Sequence, residues 1–93
     1  MSMPRVRADF NTSSLDNAYT REDLRRLGLE LRPGLWCVFY DFDAEGDEKG
    51  FLHVAAEVSW DEKLNKLRWD KGDADFRFTP GTDLSALDPY YPE

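Results

Sequence analysis

Two long apolar runs, separated by a short polar segment, constrain the fold of this chain more than any other feature. The runs cover residues 35–43 and 51–60, and the connecting residues 44–50 include Gly46 and Gly50 together with three acidic side chains. Aromatic and β-branched runs on either side of a polar, Gly-containing connection are typical of a β-hairpin. The sequence therefore predicts a long hairpin at the centre of a β-sheet, with a loop over residues 44–50.

The first run is apolar on both of the faces that a strand presents. Its alternate residues form two sets, Trp36, Val38, Tyr40 and Phe42 on one face and Leu35, Cys37 and Phe39 on the other. A strand of this kind lies inside a sheet that is covered on both sides. In the second run, the set from Leu52 to Trp60 is predicted to face the core, whereas His53 is predicted to point away from it.

One short helix is predicted to pack on this sheet. Thr20 followed by Asp23 resembles a capping box, in which the hydroxyl of the first residue accepts a backbone N–H. Gly28 is placed to end the helix in a left-handed conformation. Because an isolated helix of about two turns is marginal in water, we expect it to form only against the sheet.

Further alternating segments add strands to the hairpin. Residues 5–10 read as an edge strand, residues 66–70 and 74–79 alternate after the hairpin, and Leu84 and Leu87 fit one inward-facing helical turn. The 93 residues are enough for a single core.

We therefore predict one mainly β domain with one short helix, spanning residues 1–93. Its sheet is expected to be a small SH3-like barrel or a strongly bent antiparallel meander of five to six strands, because twisted sheets hide their edges in these ways. The tail, residues 80–93, either docks on the domain or frays.

The order of segments resembles that of SH3-like barrel modules. The resemblance rests on a Leu-x-Leu-x-Pro-Gly turn at residues 29–34, a strand that ends in Tyr-Asp-Phe-Asp at residues 40–43, an acidic tip and the strands that follow. The opening, residues 6–11, is similar to that of some uncharacterised small bacterial proteins. These resemblances concern strand order and bring no catalytic residues with them.

Charge and composition exclude several classes of partner. The formal net charge of −7 repels phosphate backbones and anionic lipid headgroups, so neither nucleic acid nor a membrane surface is expected to bind. No apolar run approaches the roughly 20 residues of a membrane span. A single cysteine and an N-terminus without the apolar core of a signal peptide predict a cytoplasmic protein.

The loop of the hairpin partly matches a calcium-binding loop. Asp41, Asp43, Glu45 and Asp47 supply oxygens at alternate positions, as in an EF-hand, where they wrap a hard cation. The match fails at the twelfth position, because Leu52 stands where a bidentate glutamate is needed. The preferred interpretation is a hairpin tip kept soluble by its charge, with weak Ca²⁺ binding as the alternative.

No residue pattern predicts an enzyme. His53 is the only histidine, and nothing in the sequence places a nucleophile or second acid beside it. Cys37 lies among apolar neighbours, where a thiol usually behaves as an inert hydrophobic group. We therefore predict no catalytic residue, no cofactor and no established metal site.

The remaining candidates point to binding. Aromatic and acidic side chains of the hairpin are the candidate partner-binding residues: Trp36, Tyr40, Asp41, Asp43, Glu45, Asp47 and Glu48. For the aromatic residues among them, a place in the core is the preferred interpretation. The sequence predicts a non-catalytic acidic domain that meets a basic protein partner. The alternative is a barrel that binds a small ligand or divalent metal at the acidic tip, and a homodimer is a further prediction.

Overall fold

The computed structural model describes residues 3–11 and 15–90, with side chains described up to residue 87. The elements in chain order are β1 (Arg5–Arg7), α1 (Ala18–Leu27), β2 (Trp36–Glu45), β3 (Glu48–Asp61), β4 (Lys66–Asp70), β5 (Arg77–Pro80) and a C-terminal 3₁₀ helix (Leu84–Tyr90). The predicted mainly β fold with one α-helix is confirmed. The end of the predicted tail, residues 91–93, lies outside the described residues.

The predicted central hairpin is confirmed, but its loop is much shorter than predicted. β2 and β3 pair without interruption from Trp36 opposite Glu57 to Glu45 opposite Glu48. Only Gly46 and Asp47 remain in the turn, and Gly46 adopts a φ of 62°, which is allowed at the first central position of a tight hairpin turn when that residue is glycine. The prediction of a loop over residues 44–50 is wrong, because the polar residues of this segment continue the backbone ladder.

The sheet is open and mixed. Strand order is β1-β2-β3-β4, with β1 parallel to β2 and the other pairs antiparallel. β5 does not follow β4 in a meander but pairs with residues 50–53 of β3, on the edge where β4 pairs with residues 57–61. The 14 residues of β3 are long enough for both partners. The sheet therefore does not close into the SH3-like barrel that was one of the predicted alternatives.

Helix α1 covers the outer edge of β1, where an unclosed sheet would otherwise expose backbone groups. The Thr20 hydroxyl donates a hydrogen bond to the carbonyl oxygen of Arg7 at 2.6 Å, and the Asp23 carboxylate accepts the Arg7 N–H at 2.9 Å. Because these side chains bind β1, they are not the predicted capping box. The N-cap is Asn17, whose side chain accepts the Thr20 N–H at 2.9 Å.

The other helix signals are confirmed. Gly28 ends α1 in the left-handed conformation with a φ of 63°. Leu87 of the 3₁₀ helix is buried, and Leu84 packs beside it. Neither α1, with ten residues, nor the 3₁₀ helix, with seven, is long and apolar enough to cross a membrane, and no other helix occurs in the described part of the chain.

The core occupies both faces of the sheet, as the two apolar sets of β2 predicted. One face carries the larger cluster: Val6, Ala8, Leu15, Cys37, Phe39, Val54, Ala56, Val58 and Trp69. The opposite face carries Val38, Tyr40 and Phe51, covered by Leu87. Phe39 stacks on Trp69 with ring centroids 5.8 Å apart, which ties β2 to β4 across the first face.

His53 was predicted to point away from the core, and that prediction is wrong. Its side chain is completely buried on the second face, and its Nε2 lies 2.7 Å from Oγ1 of Thr79 in β5. The error arose because the 3₁₀ helix packs on this face and the neighbouring strand β5 contributes Thr79 to it. Both segments are distant in sequence, and local alternation shows only that the face is less apolar. Burial, together with the positive charge of Arg77, lowers the pKa of His53 below its ordinary value.

This lowered pKa predicts a loss of stability in mild acid. The unfolded chain takes up a proton on His53 more readily than the folded chain does. The contribution of neutral His53 to the free energy of unfolding is therefore complete above about pH 6.5 and declines as the pH falls. We expect the urea midpoint to decrease between about pH 7.5 and about pH 5.5, above the range where the carboxyl groups titrate. His53→Gln should cost about 1 kcal/mol at the higher pH and flatten this dependence. An unchanged slope in the variant would contradict the assignment to His53.

Candidate interaction surface

The end of the central hairpin projects beyond the rest of the sheet as a two-stranded arm, residues 42–49. The last residue of β2 in register with β1 is Tyr40, and the first residue of β3 in register with β5 is Gly50. Between these positions no other strand is in register with β2 or β3, and every residue of the arm is exposed. Gly81 makes one backbone contact at the base of the arm, where its N–H donates to the carbonyl oxygen of Lys49 at 2.9 Å. The arm is therefore accessible from both of its faces.

The arm carries an uncompensated negative charge. Its carboxylates are Asp43, Glu45, Asp47 and Glu48, and its single cation is Lys49. None of these four acids forms an ion pair with any of the described residues. Asp41, at the base of the arm, differs because its Oδ1 lies 3.3 Å from Nε of Arg7. The carboxylate at the base of the arm is thus paired with an arginine, whereas the four carboxylates nearer the tip have no cationic partner among the described residues.

Exposed aromatic rings on either side of an arginine form a stack at the base of the arm. The guanidinium carbon of Arg7 lies 3.9 Å from the ring centroid of Tyr19 and 4.9 Å from that of Phe42. Tyr19 is 62% exposed and Phe42 is 49% exposed. Phe42 also packs against buried Phe51 at 5.0 Å, so the stack rests on the core. A rigid aromatic and cationic surface therefore adjoins the acidic arm.

This stack was missed at the level of sequence. Arg7, Tyr19 and Phe42 come from β1, α1 and β2, and no local pattern relates the three positions. The alternation of residues 5–10 indicated only that Arg7 faces away from Val6. The contact depends on the docking of α1 along β1, which the sequence pattern does not specify.

The predicted binding residues do not form one site. The arm brings together Asp43, Glu45, Asp47 and Glu48, with Asp41 at its base. Trp36 is exposed but begins β2, nine residues from Glu45, so about 30 Å of extended strand separates the two. Tyr40 is only 3% exposed and points into the core.

Tyr40 has a structural role that the sequence did not show. Its hydroxyl donates a hydrogen bond to the Asp23 carboxylate at 2.7 Å, which joins β2 to α1. Burial, reinforced by this hydrogen bond and by the negative charge of Asp23, raises the pKa of Tyr40 above its ordinary value. The hydroxyl therefore stays protonated at neutral pH and remains a donor.

The calcium-loop residues are held in an extended strand instead of a wrapped loop. Asp41, Asp43 and Glu45 follow one another along β2, and the Oδ1 atoms of both aspartates accept the next N–H of the backbone, at 2.9 and 2.8 Å. Among the described residues, no three His, Cys, Asp or Glu side chains are arranged to hold a metal ion. Cation binding at the tip would require the hairpin to rearrange.

Cys37 and His53 lie on opposite faces of the sheet. Cys37 lies opposite Ala56 and His53 lies opposite Tyr40, so the two side chains point to opposite faces. Burial raises the pKa of the Cys37 thiol to about 11. A thiol in this state is a poor nucleophile at neutral pH.

A shallow groove on the first face is lined largely by apolar side chains. It has a volume of about 430 Å³, and its lining consists mainly of leucine side chains from the loop before α1, from α1, from the segment that follows α1 and from β4: Leu15, Leu24, Leu29, Leu31 and Leu67. The volume lies within the range of small-ligand sites. The groove is far along β3 from the acidic arm, because β4 pairs with the other end of that strand.

No protein-family model, curated protein or solved structure matches this chain. Function must therefore be inferred from the residues themselves.

Proposed function

We propose that this protein is a non-catalytic interaction domain whose acidic arm binds a basic protein partner. The observation that carries the proposal is the arm itself, which projects four carboxylates that have no cationic partner among the described residues. Lysine and arginine side chains of a partner would neutralise this charge. Complementary charge of this kind accelerates encounter and selects against acidic competitors.

The stack at the base of the arm supports the same proposal. Aromatic residues and arginine are enriched where binding energy is concentrated in protein interfaces. Tyr19 and Phe42 expose large ring surfaces while Arg7 and the core hold them in place. The arm would thus attract a basic partner by its charge. The aromatic rings of the stack would add apolar contacts with that partner.

Neutralising the arm tests the proposal. The variant carries Asp43→Asn, Glu45→Gln, Asp47→Asn and Glu48→Gln, and its binding to a lysine-rich peptide and to a small basic protein is measured by calorimetry. We expect affinity to fall at least about tenfold, that is about 1.4 kcal/mol. Binding of the unmodified chain should also weaken steeply between about 0.05 and 0.5 M salt, because salt screens exposed charges.

The matched control removes the same charge from exposed acids outside the arm, with Glu30→Gln, Glu62→Gln, Asp73→Asn and Asp75→Asn. If both variants lose affinity equally, net charge and not the arm governs binding, and the proposal fails. Tyr19→Ser then separates the two parts of the surface, because it removes an exposed ring without altering charge. It should weaken binding to the folded basic protein more than binding to the peptide.

Divalent-cation or small-ligand binding at the tip is the alternative function. A calcium titration followed by tryptophan fluorescence distinguishes it, since a site formed by rearrangement of the hairpin should give a saturable change. Binding to the native state alone would also raise the thermal midpoint. Self-association stays a prediction that light scattering measures; the edge of β1 is unsuited to it, because α1 already satisfies Arg7 there.

A further inference from the structure

The second face of the sheet is covered over only part of its area. Leu84 and Leu87 of the 3₁₀ helix pack over the half that contains Tyr40 and Phe51. Towards the other end of β2 the same face is open, and Trp36 is 49% exposed there. Glu57 and Asp70, on β3 and β4, are exposed on this open half.

These side chains form a row across three strands, here called the Trp36 row. Trp36 lies directly opposite Glu57, and Glu57 lies directly opposite Asp70. Directly opposed residues point to the same face, and neighbouring strands are about 4.8 Å apart. The row therefore spans about 10 Å, with Glu57 between Trp36 and Asp70.

The arrangement is unfavourable for the isolated protein. Like charges directly opposite each other on neighbouring strands destabilise a sheet, whereas an opposite charge in the same place would stabilise it. The carboxylate of Glu57 forms no hydrogen bond or ion pair with the described residues, and the carboxylate of Asp70 accepts only the N–H of Gly72, at 2.9 Å. The two carboxylates thus lack a counter-charge.

The two cations that flank Asp70 in the sequence, Arg68 and Lys71, are bound elsewhere. Arg68 lies next but one to Asp70 along β4, but its Nη1 is 3.2 Å from Oδ2 of Asp61. Lys71 follows Asp70, but its Nζ donates to the carbonyl oxygen of Ala74 at 2.8 Å and lies over the ring of Phe76. Neither of these cations neutralises Glu57 or Asp70, which leaves both carboxylates accessible to a cation of another molecule.

We propose that the Trp36 row binds an arginine side chain of the basic protein partner. A planar guanidinium can stack on an indole while its edge donates hydrogen bonds to a carboxylate, whereas lysine offers only a point charge. The inference rests on the proposed function and extends it by naming a second contact and the residue that makes it. The row and the arm lie at opposite ends of β2, so a partner that uses both follows the length of the hairpin.

Nuclear magnetic resonance of the full ¹⁵N-labelled chain tests this inference. A short oligoarginine peptide is titrated in, and the indole N–H of Trp36, assigned by its loss in Trp36→Phe, is followed together with the amides of Gly46 and Asp47. We expect saturable shifts at Trp36 that are larger than those caused by oligolysine and absent with a citrulline peptide, which lacks the charge. The double variant Glu57→Gln/Asp70→Asn should weaken binding measured at Trp36 at least about fivefold, or about 1 kcal/mol.

The control Asp73→Asn/Asp75→Asn removes the same charge outside the row and should leave the Trp36 titration unchanged. The double variant of the row should also be no less stable than the unmodified chain, because it removes a like-charge contact. Shifts confined to the arm would overturn the Trp36 row and leave the proposed function standing. An absence of shifts at both places would overturn both, and equal effects of the two double variants would overturn the row.

Discussion

Gly50→Ala is expected to lower the free energy of unfolding by about 3 kcal/mol, near the upper end of the usual cost of overpacking. A Cβ atom at this position would overlap the carbonyl oxygen of Thr79 and lie 2.8 Å from Cζ of Phe78 and 2.9 Å from Cα of Pro80. Two of these three contacts are backbone atoms of β5, which cannot rotate away. The added methyl group must therefore push β5 off β3, which also moves Thr79 away from His53.

The matched control for Gly50→Ala is Gly46→Ala, in the same hairpin. No atom lies within 4 Å of a Cβ at Gly46, but its φ of 62° disfavours alanine. That variant should cost about 1 kcal/mol, from backbone conformation alone. Urea unfolding followed by tryptophan fluorescence gives both values. If Gly50→Ala costs no more than Gly46→Ala, β5 does not pack against Gly50 as described.

Asp23→Ala is expected to cost about 2–4 kcal/mol, because it leaves two partly buried donors without an acceptor at about 1–3 kcal/mol each. The Asp23 carboxylate accepts both the Arg7 N–H at 2.9 Å and the Tyr40 hydroxyl at 2.7 Å. A single side chain thus fixes α1 to the edge of β1 and to β2. Urea unfolding measures the loss, and hydrogen exchange should show faster opening of α1.

The control for Asp23→Ala is Glu22→Ala, the neighbouring acid of the same helix. Glu22 pairs only with exposed Arg25 on the solvent side, so this change should cost no more than about 1 kcal/mol. Tyr40→Phe should cost less than Asp23→Ala, because it removes one donor and leaves the carboxylate its contact with Arg7. Equal costs for the Asp23 and Glu22 variants would contradict the junction between helix and sheet.

The candidate site was only partly predictable. The sequence showed that the acids of residues 43–48 lie near a hairpin tip, because alternation and glycine position are local signals. It did not show that the tip is an extended arm. The length of hairpin that projects beyond the sheet depends on where β1 and β5 stop pairing with β2 and β3. Grouping Trp36 and Tyr40 with these acids failed for two reasons. Trp36 is far from the acids because the strand between them is extended, and Tyr40 is buried because its side chain points to a covered face of the sheet.

The amino-acid sequence by itself determined the features that depend on residues close together in the chain. These are the two-sided burial of β2, the left-handed conformation at Gly28 and the inward-facing Leu84 and Leu87. The spacing of apolar residues and the conformational freedom of glycine act over a few residues. A single segment of the sequence is therefore enough to predict these features.

Only the tertiary structure decided which strands became neighbours. It placed β5 beside β3 instead of β4, docked α1 on β1, buried His53 against Thr79 and aligned Trp36 with Glu57 and Asp70. Each of these outcomes depends on register between segments that are distant in sequence. Many registers satisfy the same local alternation, and only simultaneous packing of both sheet faces selects one of them.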